Sequence, residues 1–355
     1  MGMESRNLDL LRAVAVLCVL VAHLILTLTP EHHVFETVRT PGVDLLYKIG
    51  NIGVLLFFVH TSLVLMLSLE RGKPGSLFLN FYVRRLFRIY PLSIFCICMA
   101  LVVRVPFWPD VPFAMPSWRA ILANLLLVQD LTRSGSVISP LWSLPRELQM
   151  YAVLPFLFIL LRRFGSSPLV LVLWWAASLA APYVQLLAFL PCFMGGVFAY
   201  QLSKERTYRL PAAIWPAALI AGIALNLWGH YAVSDDYRPD FVVCMLIGAL
   251  IPNFKELPST WLTAAGHIVA KYSYGIYLFH VPVLWFAFVK LHALPSPVQW
   301  AAFCVLLCVI PWAAYTYIEA PLIGLGRRVA GRLTPWIHGL QAKIQRPAYS
   351  AGHAR

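Results

Sequence analysis

The stretch RNLDLLRAVAVLCVLVAHL, residues 6–24, decides the fold. Everything between Arg12 and His23 is apolar, and the apolar run continues to about residue 28. A helix that crosses a bilayer needs roughly 20 mostly apolar residues. The run is too long for a cleaved signal segment and no small-residue cleavage pattern closes it, so it reads as a retained span. Similar runs follow along the chain, near 51–69, 87–105, 147–161, 168–183, 185–201, 212–228, 240–252, 267–287 and 298–318. Together they predict an all-α protein, a polytopic transmembrane bundle of about ten spans. The stretch 119–131 is too short to cross and reads as interfacial or re-entrant.

Composition agrees. The 355 residues are 60% hydrophobic and only 12% charged, with a mean hydropathy of +0.73. Soluble domains carry about 25% charged residues, so a compact soluble enzyme is excluded, as is a disordered chain. The net charge of +13 does not point to nucleic acid, because basic residues gathered on one side of a bilayer record orientation. With both termini in the cytoplasm, the interior segments of the ten-span layout hold 20 of the 28 Lys and Arg residues. That distribution favours an even span count with both ends inside. Residues 1–323 read as one membrane-embedded domain and 324–355 as a basic cytoplasmic tail that begins as an interfacial helix. The seven cysteines all fall in apolar runs without partners at metal-ligand spacing, so they read as buried small hydrophobes and no metal site is expected.

Ionisable groups inside a membrane are costly and therefore candidates for function. Arg12 and His23 are 11 residues apart, which turns the helix about 20° beyond three full turns and raises it roughly 16 Å. Both therefore share a face, with Arg12 at the mouth and His23 deep. Asp9 lies one turn from Arg12 and can pair with it. Arg12 also suits a plain headgroup anchor, but a deep histidine needs a partner or a task. In FYVRRLFRIYP, residues 81–91, Arg84, Arg85 and Arg88 form one cationic ridge at i,i+3 and i,i+4 spacing. Such a ridge suits bidentate phosphate binding or a stop at the lipid headgroups. SPLWSLPRELQMY, residues 139–151, sets Glu147 at the start of the fourth span, with Trp142 and Ser143 before it and Tyr151 one turn on. Glu147 can orient a histidine or cap the helix. In KYSYGIYLFHVPV, residues 271–283, Ser273, Tyr277 and His280 share a helical face. His280 reads as a structural hydrogen-bond partner or part of an acceptor channel, and His60 as packing. Glu319 is placed to pair with a cytoplasmic arginine. His32, His33, His338 and His353 read as solvated. Walker, dinucleotide-binding, zincin and serine-hydrolase motifs are absent.

Five of these segments, in this order, resemble the acyltransferase-3 family of integral membrane proteins. They are LDLLRAVAVLCVLVAH at 8–23, RRLFRIYPL at 84–92, LWSLPRELQMY at 141–151, SYGIYLFHVPV at 273–283 and YIEAP at 317–321. In the second span this chain differs from the family pattern, with Leu55 and Thr61-Ser62 where an aspartate and a Ser-Gly pair are usual. The resemblance implies transfer of an acyl group, usually acetyl, from cytoplasmic acyl-CoA to a hydroxyl of a carbohydrate or glycolipid, in a bacterial inner membrane and with no permanently bound cofactor. It implies that Arg12, Arg84, Arg85 and Arg88 hold the donor, that His23 is the base or a transient acyl carrier, and that Glu147 holds the imidazole in the required tautomer. The rival reading is a secondary transporter or flippase with a pathway lined by Arg12, His23, His60 and His280. No internal repeat supports it. Within the enzyme class, a small glycoside or antibiotic taken from the cytoplasm is the other acceptor to weigh.

Overall fold

The computed structural model describes residues 5–29, 41–72, 77–109, 111–205, 209–233 and 237–344. His32, His33, His353 and the side chain of His338 fall outside these. The helices in chain order are α1 (Arg6–Leu28), α2 (Pro41–Glu70), α3 (Leu77–Val103), α4 (Trp118–Leu125), α5 (Ser143–Phe164), α6 (Ser167–Ala180), α7 (Leu190–Glu205), α8 (Trp215–Ala232), α9 (Arg238–Leu250), α10 (Trp261–Leu284), α11 (Ser296–Ala314) and α12 (Ala320–Ile344). Among the described residues there is no strand, only an isolated bridge between Leu210 and Phe254.

Seven of the helical stretches are long and apolar enough to cross a membrane. Every expected span is helical, but α6, α7 and α9 have only 14, 16 and 13 residues, below the roughly 17 that a crossing needs. The expected short fourth span is a full 22-residue helix, α5. The stretch expected to be interfacial or re-entrant contains most of the 8-residue α4. α12 runs unbroken across the expected boundary at residues 323 and 324.

Caps start the helices where the sequence allows. The Ser5 side chain accepts from the Leu8 N–H to open α1, and Thr260 with Thr263 forms a reciprocal capping box on α10. Prolines lie inside α3, α5, α10 and α11. In lipid they are tolerated because neighbouring groups satisfy the freed carbonyls. Shortly after Pro282 and Pro311 the helix widens into π turns, Trp285–Lys290 and Tyr315–Glu319, the adjustment expected where one backbone hydrogen bond is missing.

Lipid tails are as apolar as leucine, so burial alone does not hold such helices together; close packing and polar contacts do. α1 packs on α2 and α10, α2 on α7, α7 on α9, and α3 on α12. A Cβ at Gly53 would stand 2.6 Å from the Ala15 carbonyl oxygen and 2.9 Å from Val19, so only glycine lets α2 lie this close to α1. A polar knot joins α2, α8 and α9. Asp240, 1% exposed, accepts from Asn51 at 3.2 Å and Asn226 at 2.9 Å and meets His230 Nε2 at 2.9 Å. The cysteines divide: Cys96, Cys192 and Cys244 are buried, but Cys98, Cys304 and Cys308 are exposed and Cys18 is intermediate. The expectation of seven buried thiols is corrected, because apolar surface facing lipid is as well accommodated as apolar core.

Candidate active site

The arginines expected to bind the donor do converge. Arg12 from α1 and Arg84, Arg85 and Arg88 from α3 line one cavity of about 310 Å³. Tyr274 of α10 donates its hydroxyl to the Ile89 carbonyl at 2.9 Å, which ties the arginine-bearing turn of α3 to the helix behind it. Arg85 also stacks on Phe81, 5.8 Å from the ring centre. Among the described residues, none of the side chains of Arg12, Arg84, Arg85 and Arg88 makes a hydrogen bond or ion pair to a protein group. Guanidinium groups gathered on one cavity wall are an arrangement suited to bidentate contact with an anion.

The two carboxylates on the wall do not neutralise it. Asp9 pairs with His267 Nδ1 at 2.8 Å, which corrects the expected pairing with Arg12: His267, on the facing α10, approaches more closely than a neighbour on the same helix. Glu147 accepts the Tyr151 hydroxyl at 2.6 Å and faces the cavity. Glu319 was expected to pair with an arginine. It is buried at the end of the second π turn, and its Oε2 has no hydrogen-bond partner.

The cavity wall also includes Ser143 and Tyr277. The Tyr277 hydroxyl donates to the Pro140 carbonyl at 2.8 Å, so Ser143 Oγ, 2.7 Å away, donates to Tyr277. Ser273 spends its hydroxyl on the Ala270 carbonyl in its own helix. Trp142 lies away from the cavity wall, packed against Phe189 with ring centroids 5.6 Å apart.

Just past Tyr277 on α10 stands His280, ring centroids 6.1 Å apart. His280 Nε2 is 2.6 Å from His23 Nδ1. The ring planes differ by 8° with centroids 4.9 Å apart, which with so short an N···N distance means the imidazoles meet edge to edge in a common plane. Trp108, from the segment after α3, stands perpendicular to His23 at 4.8 Å. Thus the structure joins His23 to His280, whereas Glu147, the expected orienting carboxylate, touches Tyr151 and not His23.

Sequence reasoning missed part of the cavity wall. His60, Thr61 and Ser68 face it from α2, together with Val54, Phe57 and Val64. Their spacing of three and four residues is a helical stripe, and its polar members were the available signal. Arg327 of α12 also lines it, although by sequence it was only one of the basic residues of the tail.

Fold and site together define a multi-pass membrane protein with an arginine-lined cavity suited to an anion. Its class is given by likeness to known proteins. The acyltransferase domain of the acyltransferase-3 family matches residues 5–316, and the chain belongs to that family; it is a membrane acyltransferase, which displaces the transporter reading. It is 25% identical to acyltransferase MdmB of Streptomyces mycarofaciens over 281 residues, covering 68% of this chain and 71% of that one. It is also 23% identical to the regulator of hypoxia-inducible factor 1 of Caenorhabditis elegans over 425 aligned positions, 92% of this chain and 81% of the other. No solved structure matches significantly.

Proposed function

We propose that the protein moves an acyl group, acetyl in the first instance, from cytoplasmic acyl-CoA to a hydroxyl of an envelope or exported glycan or glycolipid. The carrying observation is the set of four guanidiniums in one cavity, without a hydrogen-bonded partner among the described residues, whose wall includes Tyr277, the neighbour of a histidine pair. Coenzyme A is a polyphosphate with a long, thin arm. Its phosphates suit Arg84, Arg85 and Arg88, with Arg12 further along, while the arm carries the thioester toward His23. The acceptor hydroxyl then attacks the thioester carbon as its proton passes to the His23 imidazole. The carbon–sulfur bond breaks, and the departing thiolate takes that proton, so free coenzyme A and an ester result. In the two-step variant the His23 imidazole is acylated first and then transfers the group.

In this reading the ten helical segments span a bacterial inner membrane with both termini in the cytoplasm, α6, α7 and α9 crossing a locally thinned or protein-lined layer. Residues 1–323 are the acyltransferase domain and 324–355 a basic cytoplasmic tail, with Arg327 reaching back to the donor. Glu147 acts from the cavity wall, holding Tyr151 beside the arginines.

Mass spectrometry of surface glycans tests the proposal in cells without the gene, with it restored, and restored as His23→Ala. A base-labile acyl mass is expected only with the intact protein. Identical profiles in all three would remove the glycan acceptor, and labelled acetyl-CoA turnover in membranes would then decide whether the donor assignment survives.

A further inference from the structure

The histidine pair carries more than proximity. His280 Nδ1 faces two backbone carbonyls, Tyr277 at 2.7 Å and Ile276 at 3.2 Å. A carbonyl only accepts, so His280 Nδ1 carries a proton. No carboxylate is hydrogen-bonded to either ring among the described residues, and a buried unpaired imidazolium is disfavoured, so His280 is neutral and its Nε2 holds a lone pair. That lone pair points at His23 Nδ1, 2.6 Å away in the common ring plane. His23 Nδ1 must then be the donor. One nitrogen remains: His23 Nε2, unprotonated.

We infer that His280 is a positioning residue that fixes His23 in the Nδ1–H tautomer, so that Nε2 is the nitrogen that takes the hydroxyl proton or the acyl group. The inference rests on His23 being the base. The relay runs one way, from His23 Nδ1–H to His280 Nε2 and from His280 Nδ1–H to the Tyr277 carbonyl. It performs with a neutral ring what a carboxylate performs in a serine-protease triad. The neutral partner fits the site: a carboxylate at this depth would be an added buried charge. When His23 is protonated at Nε2 during transfer, its Nδ1–H bond to His280 is retained and strengthened by the charge. The ring need not turn between the two halves of the reaction. Trp108, perpendicular to His23, packs against the same ring and leaves the pair little room to rotate.

The test has two arms. In membrane vesicles, initial rates of base-labile label incorporation from radiolabelled acetyl-CoA are measured against its concentration for the wild type, His280→Phe, His280→Gln and His23→Ala. Phenylalanine keeps the ring volume but cannot accept; glutamine can present its amide oxygen near the position of Nε2. His280→Phe should lower kcat by about a hundredfold, the range expected for losing an oriented base, with the KM for acetyl-CoA within about twofold. His280→Gln should recover most of that loss, and His280→Phe on top of His23→Ala should cost nothing further. Unchanged kcat in His280→Phe, or equal losses in the Phe and Gln variants, would overturn the proposal. The second arm is nitrogen-15 NMR of histidine-labelled wild-type protein in nanodiscs, with His23→Ala assigning the signal. An Nδ1-protonated, Nε2-unprotonated His23 is expected, and the opposite tautomer refutes the inference even if no variant folds. A wild type inert toward acetyl-CoA with the expected tautomer would sink the donor assignment and leave the pairing intact.

Discussion

Two sets of charged groups lie inside this bundle, and they are treated in opposite ways. Asp240 of α9 is almost wholly buried, and both its oxygens are engaged by Asn51 of α2 and by Asn226 and His230 of α8. Arg12, Arg84, Arg85 and Arg88 are gathered around a cavity and, among the described residues, hydrogen-bond to no protein acceptor. Burying a charge is costly unless it is paired and hydrogen-bonded. The first arrangement meets that cost within the fold and ties helices together. The second leaves its charges facing the cavity, where Asp9 and Glu147 share the wall without hydrogen-bonding them among the described residues. A saturated charge is a structural tie, whereas an unsaturated cluster is a binding site.

The largest expected effect is on the saturated side. Asp240→Ala leaves two amides and an imidazole facing an empty buried space. Each buried hydrogen-bonding group left unsatisfied typically costs about 1–3 kcal/mol. The variant should melt well below the wild type in detergent, followed by tryptophan fluorescence, or be lost from membranes, and acetyl-CoA should not rescue it. If Asp240→Ala melted like the wild type while only activity fell, Asp240 would belong with the functional charges and the contrast would collapse.

The arginine side predicts the reverse pattern. Arg88→Ala and Arg85→Ala should leave the melting temperature of the ligand-free protein unchanged or higher, because each removes a half-buried cation that makes no hydrogen bond or ion pair among the described residues. Each should raise the KM for acetyl-CoA by about ten- to a hundredfold, the worth of a hydrogen bond to a charged group at roughly 1.5–3 kcal/mol. Coenzyme A at a hundred times its Kd should stabilise the wild type by about 2.7 kcal/mol and stabilise the arginine variants much less at the same concentration. A loss of stability in ligand-free Arg88→Ala would mean that the arginines are structural ties after all.

How far the sequence reached follows the same division. The Arg12–His23 face and the ridge of Arg84, Arg85 and Arg88 were legible because helix geometry fixes neighbours within one element. The edge-to-edge contact of His23 with His280 joins residues 257 positions apart, and no periodicity reports on a pairing set by the packing of α1 against α10. For the same reason Glu147 was assigned to His23 although its contacts are Tyr151 and the cavity. The Asp240 knot was invisible: Asn51, Asn226, His230 and Asp240 lie near the ends of three different apolar runs, where each alone looks like loop polarity. His60 was read as packing because one histidine on an apolar face has no local mark of the cavity it borders. The expected spans were legible as helices but their number was not, because a helix such as α9, with 13 residues, has an apolar pattern that does not state whether it crosses.

The smallest expected effect falls where the two kinds of charge meet. Asp9 lines the arginine cavity yet is paired, with His267, at an exposed position: the side chains are 27% and 66% accessible. An exposed ion pair contributes about 0.2–1 kcal/mol, so Asp9→Asn should barely move the melting temperature. Its effect on the donor has a defined sign. Removing one carboxylate from the wall of an anion site removes repulsion toward the incoming phosphates, and the KM for acetyl-CoA should fall by up to about fivefold, corresponding to about 1 kcal/mol. The decrease should be larger at low ionic strength, because screening of exposed charges acts over about 10 Å at 0.1 M salt. A raised KM would mean that the Asp9–His267 pair shapes the mouth of the cavity through α1 and α10, and Asp9 would then join Asp240 as a tie rather than border the site as a passive charge.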